Sequence, residues 1–138
     1  MAKFLTTLRI ERMEDISTDG RGTWKLLNLF AYKSDVADTV FVVPRGFITD
    51  FASVPRIPIA FLLTGECAQE AAVIHDWLYT SHEVSRSMAD AVFREAAMLG
   101  NPGWRAWLMW LGVRAGGGGS WDAAGPRQPP NVERALGE

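Results

Sequence analysis

The first half of the chain alternates apolar and polar residues in a pattern typical of β-strands. Leu8 and Ile10 are flanked by polar residues at a period of two, which indicates a half-buried strand. Runs of aliphatic and aromatic residues follow, separated by short polar or glycine-containing turns, the first at 18–22. The pattern predicts an antiparallel sheet of three to five strands. The predicted strands cover residues 4–12, 24–32, 39–43 and 47–49.

The second half changes to a helical period. Ala71, Ile74, His75 and Leu78 lie on one stripe of a helix that begins at residue 66 or 67 and ends at residue 80. The pattern predicts a second helix to residue 99, before a glycine, and a third over 104–114, with Asn101-Pro102 as its cap and first-turn proline. A short helix is also predicted at 59–63. Strands followed by helices predict an α+β fold, with about three helices packed on or beside the sheet.

The C-terminal segment has a different composition. Four successive glycines at 116–119 are followed by a proline-containing stretch without periodicity. Such a sequence predicts a flexible C-terminal arm, extended or disordered. We therefore expect one α+β domain over residues 1–115 and an arm over residues 116–138.

Composition limits the classes of function. The 138 residues are 48% hydrophobic and 22% charged, as in an ordinary globular domain. A net charge of −2 gives no basic surface for nucleic acid, so we expect no nucleic-acid partner. A single cysteine excludes an internal disulfide framework. We expect no signal peptide and no transmembrane segment, because neither the N-terminus nor any other stretch has the required apolar run.

His75 and Asp76 form a titratable pair inside an apolar helical run. Tyr79 lies one turn after His75 on the same face, whereas Asp76 points about 100° away. Asp90 is an isolated acid in the next helix, and two antiparallel helices would bring it against His75. The sequence therefore predicts a histidine base that acts on water and is oriented by a carboxylate. The structural alternatives are a capping box between Ser87 and Asp90, or a buried hydrogen-bond network that holds the helices.

Other site chemistries have less support. His75 and His82 are about 10 Å apart along one helix, too far for one zinc ion, and Cys67 is about 12 Å from His75 by the same rise. The segment 49–58 contains two prolines and is predicted to be a loop, with Asp50 and Ser53 either capping its backbone or taking part in chemistry. Asp76 together with loop carbonyls could hold calcium, whose ligands are hard oxygens.

Three motifs in order resemble a known family. Residues 47–56 (FITDFASVPR), residues 75–79 (HDWLY) and Ala89-Asp90-x-x-Phe93 resemble the small phage and prophage proteins called domain of unknown function 1353. The resemblance implies a phage or prophage origin but supplies no activity. We expect a tail, baseplate or head-completion component of the particle, or an accessory in host lysis. Such a protein would be made in the host cytoplasm and could enter the virion.

The motif His75-Asp76-x-x-Tyr79, followed by an acid on the next helix, is similar to phospholipase A2, including the form in parvovirus capsids. This resemblance implies the alternative to a particle component, a calcium-dependent hydrolase of phospholipid. His75 would be the base, Asp76 the calcium ligand, Asp90 the orienting acid, and Tyr79 a hydrogen-bond partner of Asp90. The chain departs from that pattern because its 49–58 loop has no glycine and the disulfide cysteines are absent, as in the parvovirus form.

Tryptophan is concentrated near the C-terminus. Of six tryptophans, four lie in the last quarter of the chain: Trp104, Trp107, Trp110 and Trp121. They either pack in the core or form a surface that meets a partner or a membrane interface. The helix from Trp104 to Trp110 and the C-terminal arm are therefore our candidate contacts with other phage structural proteins, and phospholipid is the alternative partner.

Overall fold

A computed structural model describes residues 1–13, 23–49 and 68–124. These residues form two antiparallel sheets of three short strands each, followed by four helices, which confirms the predicted α+β class. The elements are β1 (Lys3–Phe4), β2 (Ile10–Arg12), β3 (Trp24–Leu26), β4 (Phe30–Ser34), β5 (Thr39–Val43), β6 (Ile48–Thr49), α1 (Ala68–Ser81), α2 (Arg86–Met98), α3 (Gly103–Gly116) and α4 (Gly118–Ala124).

Some sequence-predicted features lie outside the described residues. These are the turn at 18–22, the short helix at 59–63, Asp50, Ser53, Cys67 and the part of the expected arm from residue 125 onward.

The strands divide between two sheets, ordered β1-β4-β5 and β2-β3-β6. The single strands predicted at 4–12 and 24–32 are therefore wrong, because each run contributes one strand to each sheet. The chain bends where the Thr6 hydroxyl accepts the Ala31 N–H at 3.0 Å and donates to the Leu29 carbonyl. Apolar alternation continues across the bend, so the pattern alone does not separate two short strands from one long strand.

Helix α1 lies at the centre of the core. Its residues 71–79 are all buried, including Trp77 and Leu78, and it packs against α2 and α4 and against β5 and β6. A second group of buried residues comes from α2, among them Val92 and Phe93. Glu95, also on α2, accepts hydrogen bonds from the Tyr32 hydroxyl and from two backbone amides of the turn between β4 and β5. The helical layer is thus joined to the first sheet by a carboxylate as well as by apolar packing.

The cap predicted for α3 and the alternative capping box at the start of α2 are both wrong in detail. Ser85, not Ser87, caps α2, since its hydroxyl accepts the Met88 N–H. Pro102 is the N-cap of α3, and the Asn101 amide instead donates to the Ala97 carbonyl at the end of α2. In both places the observed cap lies one or two residues from the one considered from the sequence, which is the range over which helix ends vary.

The structure differs from the expected arm over residues 116–124. Helix α3 extends to Gly116, and α4 follows after a single residue. The physical reason is Trp121, whose ring stacks on His82 with centroids 3.7 Å apart and meets Tyr79 edge-on at 5.2 Å. This aromatic packing offsets the conformational entropy of the glycine run. No helix among the described residues is long and apolar enough to cross a membrane.

Candidate functional site

The site is built on the face of α1 that meets α2. One helical turn separates His75 from Tyr79, and both side chains point at Asp90 of α2. His75 Nε2 lies 2.6 Å from Asp90 Oδ1, and the Tyr79 hydroxyl donates to the same oxygen at 2.6 Å. The hydrogen-bond geometry predicted for His75 is thereby confirmed. The helices run antiparallel, as predicted, since Tyr79 also contacts Arg86 at the start of α2.

Two arginines complete the cluster, and sequence reasoning missed both. Arg114 of α3 donates from Nη1 to Asp90 Oδ2 at 2.9 Å. Arg86 donates from Nε to the Tyr79 hydroxyl at 3.2 Å and from Nη2 to the carbonyls of Val113 and Arg114. A signal for Arg114 was present, because a charged residue in an otherwise apolar helix calls for a partner. We refer to His75, Tyr79, Arg86, Asp90 and Arg114 as the His75 network.

The electrostatics of the network determine where the protons lie. Burial acts to raise the pKa of the Asp90 carboxyl, but the hydrogen bonds from His75, Tyr79 and Arg114 hold it below its ordinary value of 3.8. Asp90 is therefore ionised at neutral pH and can only accept, so His75 Nε2 carries a hydrogen. In the neutral imidazole ring, Nδ1 then holds the lone pair.

Tyr79 remains a hydrogen-bond donor throughout the neutral range. Burial, and then the hydrogen bond to Asp90, raises the pKa of its hydroxyl above the ordinary 10.0. His75 and Asp90 are both 0% exposed. The His75 ring also packs against Tyr79 at 4.1 Å and Phe93 at 4.9 Å between centroids. Low polarity around these groups strengthens each electrostatic contact.

Asp76 lies on another face of α1 and is bound differently. Its Oδ2 accepts the Thr49 hydroxyl at 2.5 Å, at the end of β6. Thr49 is the last described residue before the 50–67 segment. Among the described residues, no group of three or more histidine, cysteine or acidic side chains is arranged to hold a metal ion. Asp76 can supply one hard oxygen ligand, and other oxygens would be needed to complete a calcium site.

A cleft opens next to the Asp76 side of α1. It has a volume of about 360 Å³. Trp77 and Thr80 of α1 form one wall, and the turn before β6 forms the other with Arg45 and Phe47. Phe47 meets Trp77 edge-on at 5.3 Å. The walls are mainly apolar, so the cleft is suited to an apolar group of modest size.

The capping-box interpretation of Asp90 is wrong. The N-cap of α2 is Ser85, and Asp90 is a fully buried residue in the interior of the helix. Its carboxylate is contacted from two other helices, by His75 and Tyr79 of α1 and by Arg114 of α3, and none of these contacts is to the backbone at the start of α2. Asp90 therefore belongs to the His75 network.

Comparison with known proteins identifies the family. A family model described as "Protein of unknown function (DUF1353)" matches residues 24–113. Searches of curated proteins and of solved structures found no match. The matched region extends from β3 into α3 and contains His75, Tyr79, Arg86 and Asp90, with Arg114 one residue beyond it. The resemblance noted in the sequence is thus supported over more than half of the chain, and the protein belongs to the DUF1353 family of proteins of unknown function.

Proposed function

We propose that this protein is a phospholipase A2-like hydrolase in which His75 is the general base and Asp90 orients it. The observation that carries the proposal is the pair of 2.6 Å contacts to Asp90 Oδ1, from His75 Nε2 and from the Tyr79 hydroxyl. These are the two contacts that the resemblance to phospholipase A2 implies. A carboxylate on one imidazole nitrogen fixes the tautomer and leaves the other nitrogen basic. The proposed substrate is the ester of a phospholipid.

The proposed reaction is acyl-ester hydrolysis. His75 Nδ1 takes a proton from water while the water oxygen attacks the ester carbonyl carbon. The ester C–O bond then breaks, and the imidazolium returns its proton to the leaving alcohol oxygen. The products are a fatty acid and a lysophospholipid. Asp90 stays ionised throughout and stabilises the transient imidazolium, while Tyr79 and Arg114 keep its carboxylate in place.

Calcium is part of the proposal through Asp76. Calcium takes six to eight oxygen ligands, so Asp76 would be one of several. The segment containing Asp50 and Ser53 follows Thr49 directly and is the proposed source of further oxygens. When bound, calcium would polarise the ester carbonyl.

The second candidate function is that of a structural component of a phage or prophage particle, or of an accessory in host lysis. Full burial of His75 and Asp90, together with the Arg114 guanidinium on Asp90, favours it, because a catalytic base must meet water. In this case the network only fastens α1, α2 and α3 together. Neighbouring tail genes would support a particle component, whereas neighbouring holin and lysin genes would support the lysis role.

Fatty-acid release from phospholipid vesicles tests the two candidates. We expect release that needs calcium, stops on chelation, and is abolished in His75→Ala. Asp76→Asn should raise the calcium concentration required, because it removes a charged ligand. His82→Ala is the matched control, as it removes the other histidine without touching Asp90, and should retain activity.

A different set of results would support the structural candidate. The wild-type protein would show no hydrolysis and no calcium-dependent shift in melting temperature. His75→Ala would melt lower by the few degrees expected from losing roughly 1–3 kcal/mol of buried hydrogen bonding. That combination would overturn the hydrolase proposal.

A further inference from the structure

Helix α3 presents an apolar face to solvent. Trp104 and Trp107 are 62% and 46% exposed, and Leu108 and Leu111 are also exposed. The spacing of i, i+3, i+4 and i+7 puts these four side chains on one side of the helix, which we call the α3 face. Surface helices of globular proteins ordinarily carry polar residues there, so an apolar outer face marks an interaction surface.

The opposite side of α3 is already occupied. Ala106, Met109 and Val113 are fully buried and point away from the α3 face. The helix is therefore apolar on both sides, with its inner side packed against α2. Core packing does not account for Trp104 and Trp107, because both side chains lie outside the core.

The charges of α3 indicate what kind of surface it meets. The helix has no acidic residue, and its only charged residues are Arg105 and Arg114. At about 100° per residue they lie on opposite flanks of the α3 face, and both are partly exposed. Tryptophan and leucine between flanking arginines is the composition of a helix that lies in the interface of an anionic membrane.

We propose that the α3 face binds the surface of a membrane containing anionic phospholipid. The indole and leucine side chains enter the boundary between headgroups and acyl chains. Arg105 and the 35% exposed Arg114, which keeps its bond to Asp90, place positive charge beside the lipid phosphates. A second copy of the chain is the rival occupant, and the dimer measurement below tests it separately.

Membrane binding would also connect to the His75 network. Arg114 lies on α3 and holds Asp90, so the docked helix and the proposed base are joined through one side chain. This link deepens the proposed function and rests on it, because it identifies the substrate as lipid in a bilayer. Binding itself requires no hydrolysis and can be measured separately.

Vesicle co-sedimentation tests the inference. His75→Ala protein with chelator is mixed with vesicles of phosphatidylcholine alone or with one quarter phosphatidylglycerol. We expect sedimentation with the anionic vesicles and much less with the neutral ones. The double variant Trp104→Ser/Trp107→Ser should bind at least about tenfold more weakly, since it removes most of the apolar area. Val36→Ser/Val40→Ser is the matched control and should bind normally. Both residues are 47% exposed, Val36 in the turn after β4 and Val40 in β5.

Three results would overturn the inference. One is the absence of sedimentation with anionic vesicles, and another is undiminished binding by the tryptophan variant. The third is a wild-type dimer, measured by light scattering, that the tryptophan variant converts to a monomer, because the α3 face would then join two copies. Vesicle binding without fatty-acid release would retain this inference and reject the hydrolase. Hydrolysis of dispersed short-chain phospholipid without vesicle binding would retain the hydrolase proposal and reject membrane binding by the α3 face.

Discussion

Asp90 and Arg114 are 24 residues apart in the chain and form a 2.9 Å ion pair between α2 and α3. Asp90 is fully buried, while the Arg114 side chain is 35% exposed, so the pair extends from the core to the surface. A buried carboxylate is costly unless it is paired and hydrogen-bonded, and Asp90 meets both conditions through contacts from α1 and α3. The position of α3 is thereby determined by charge as well as by packing.

Replacing Asp90 with asparagine should change how strongly acid lowers the free energy of unfolding. Since the native pKa of Asp90 is below its ordinary value of 3.8, its contribution to stability is complete above that value and is lost as the pH falls through the native pKa. Asp90→Asn should therefore unfold more easily at pH 7, by about 3 kcal/mol or more, and lose less stability in acid. Urea unfolding from pH 7 to pH 2.5 measures this, with the exposed Glu11→Gln as control. If the free energies of unfolding of the wild type and of Asp90→Asn fell equally with falling pH, the lowered pKa of Asp90 would be contradicted.

Tyr79→Phe should lower the free energy of unfolding by about 1–3 kcal/mol, because it removes a buried hydrogen bond from Asp90 and the Nε partner of Arg86. Tyr32→Phe is the matched control. It should cost less, since Glu95 is partly exposed and water can replace the lost hydroxyl, whereas Asp90 is fully buried. A double-mutant cycle of Tyr79→Phe with Arg86→Met should give a coupling energy above about 0.5 kcal/mol. Strict additivity would show that the Tyr79–Arg86 contact does not contribute.

Gly117→Ala should destabilise the protein through a steric clash. An added Cβ would lie 2.5 Å from the Val113 carbonyl oxygen and 2.8 Å from the Tyr79 hydroxyl. Both atoms would have to move, and the Tyr79 hydroxyl can move only by disturbing its hydrogen bond to Asp90. Gly119→Ala is the control, since its added Cβ meets no atom within 4 Å among the described residues, and it should be neutral or slightly stabilising in a helix. The melting temperatures of the two variants test this prediction. Equal melting temperatures would refute the steric clash at Gly117.

Trp121→Ala should unfold α4 without unfolding the rest of the domain. The helix has only seven residues, too few to be stable alone, and Trp121 supplies its aromatic contacts with Tyr79 and His82. Amide hydrogen exchange should show protection over residues 118–124 in the wild type and its loss in the variant. Trp104→Ala, on the exposed side of α3, serves as control and should leave that protection intact. Retained protection in Trp121→Ala would mean that other contacts hold the helix.

Local periodicity was enough to predict several elements and part of the site. The bounds of β5 were predicted to the residue, and α1 was predicted within two residues at each end. The same helical period put His75 and Tyr79 on one face with Asp76 on another, and the short link after α1 implied that Asp90 would face them. These features depend on the periods of the helix and the strand, and the order of apolar and polar residues along the chain shows those periods directly.

Tertiary contacts decided the rest. The division of the strands between two sheets, the ordering of α4 by Trp121, and the pairing of Arg114 with Asp90 all join residues that are distant in sequence or leave no local period. An arginine in an apolar helix indicates that a polar partner is present. The identity of that partner depends on how α3 packs on α2. Sequence by itself therefore determined the fold class and the faces of its helices. Only the folded chain determined which buried charges meet, because their pairing depends on packing across three helices.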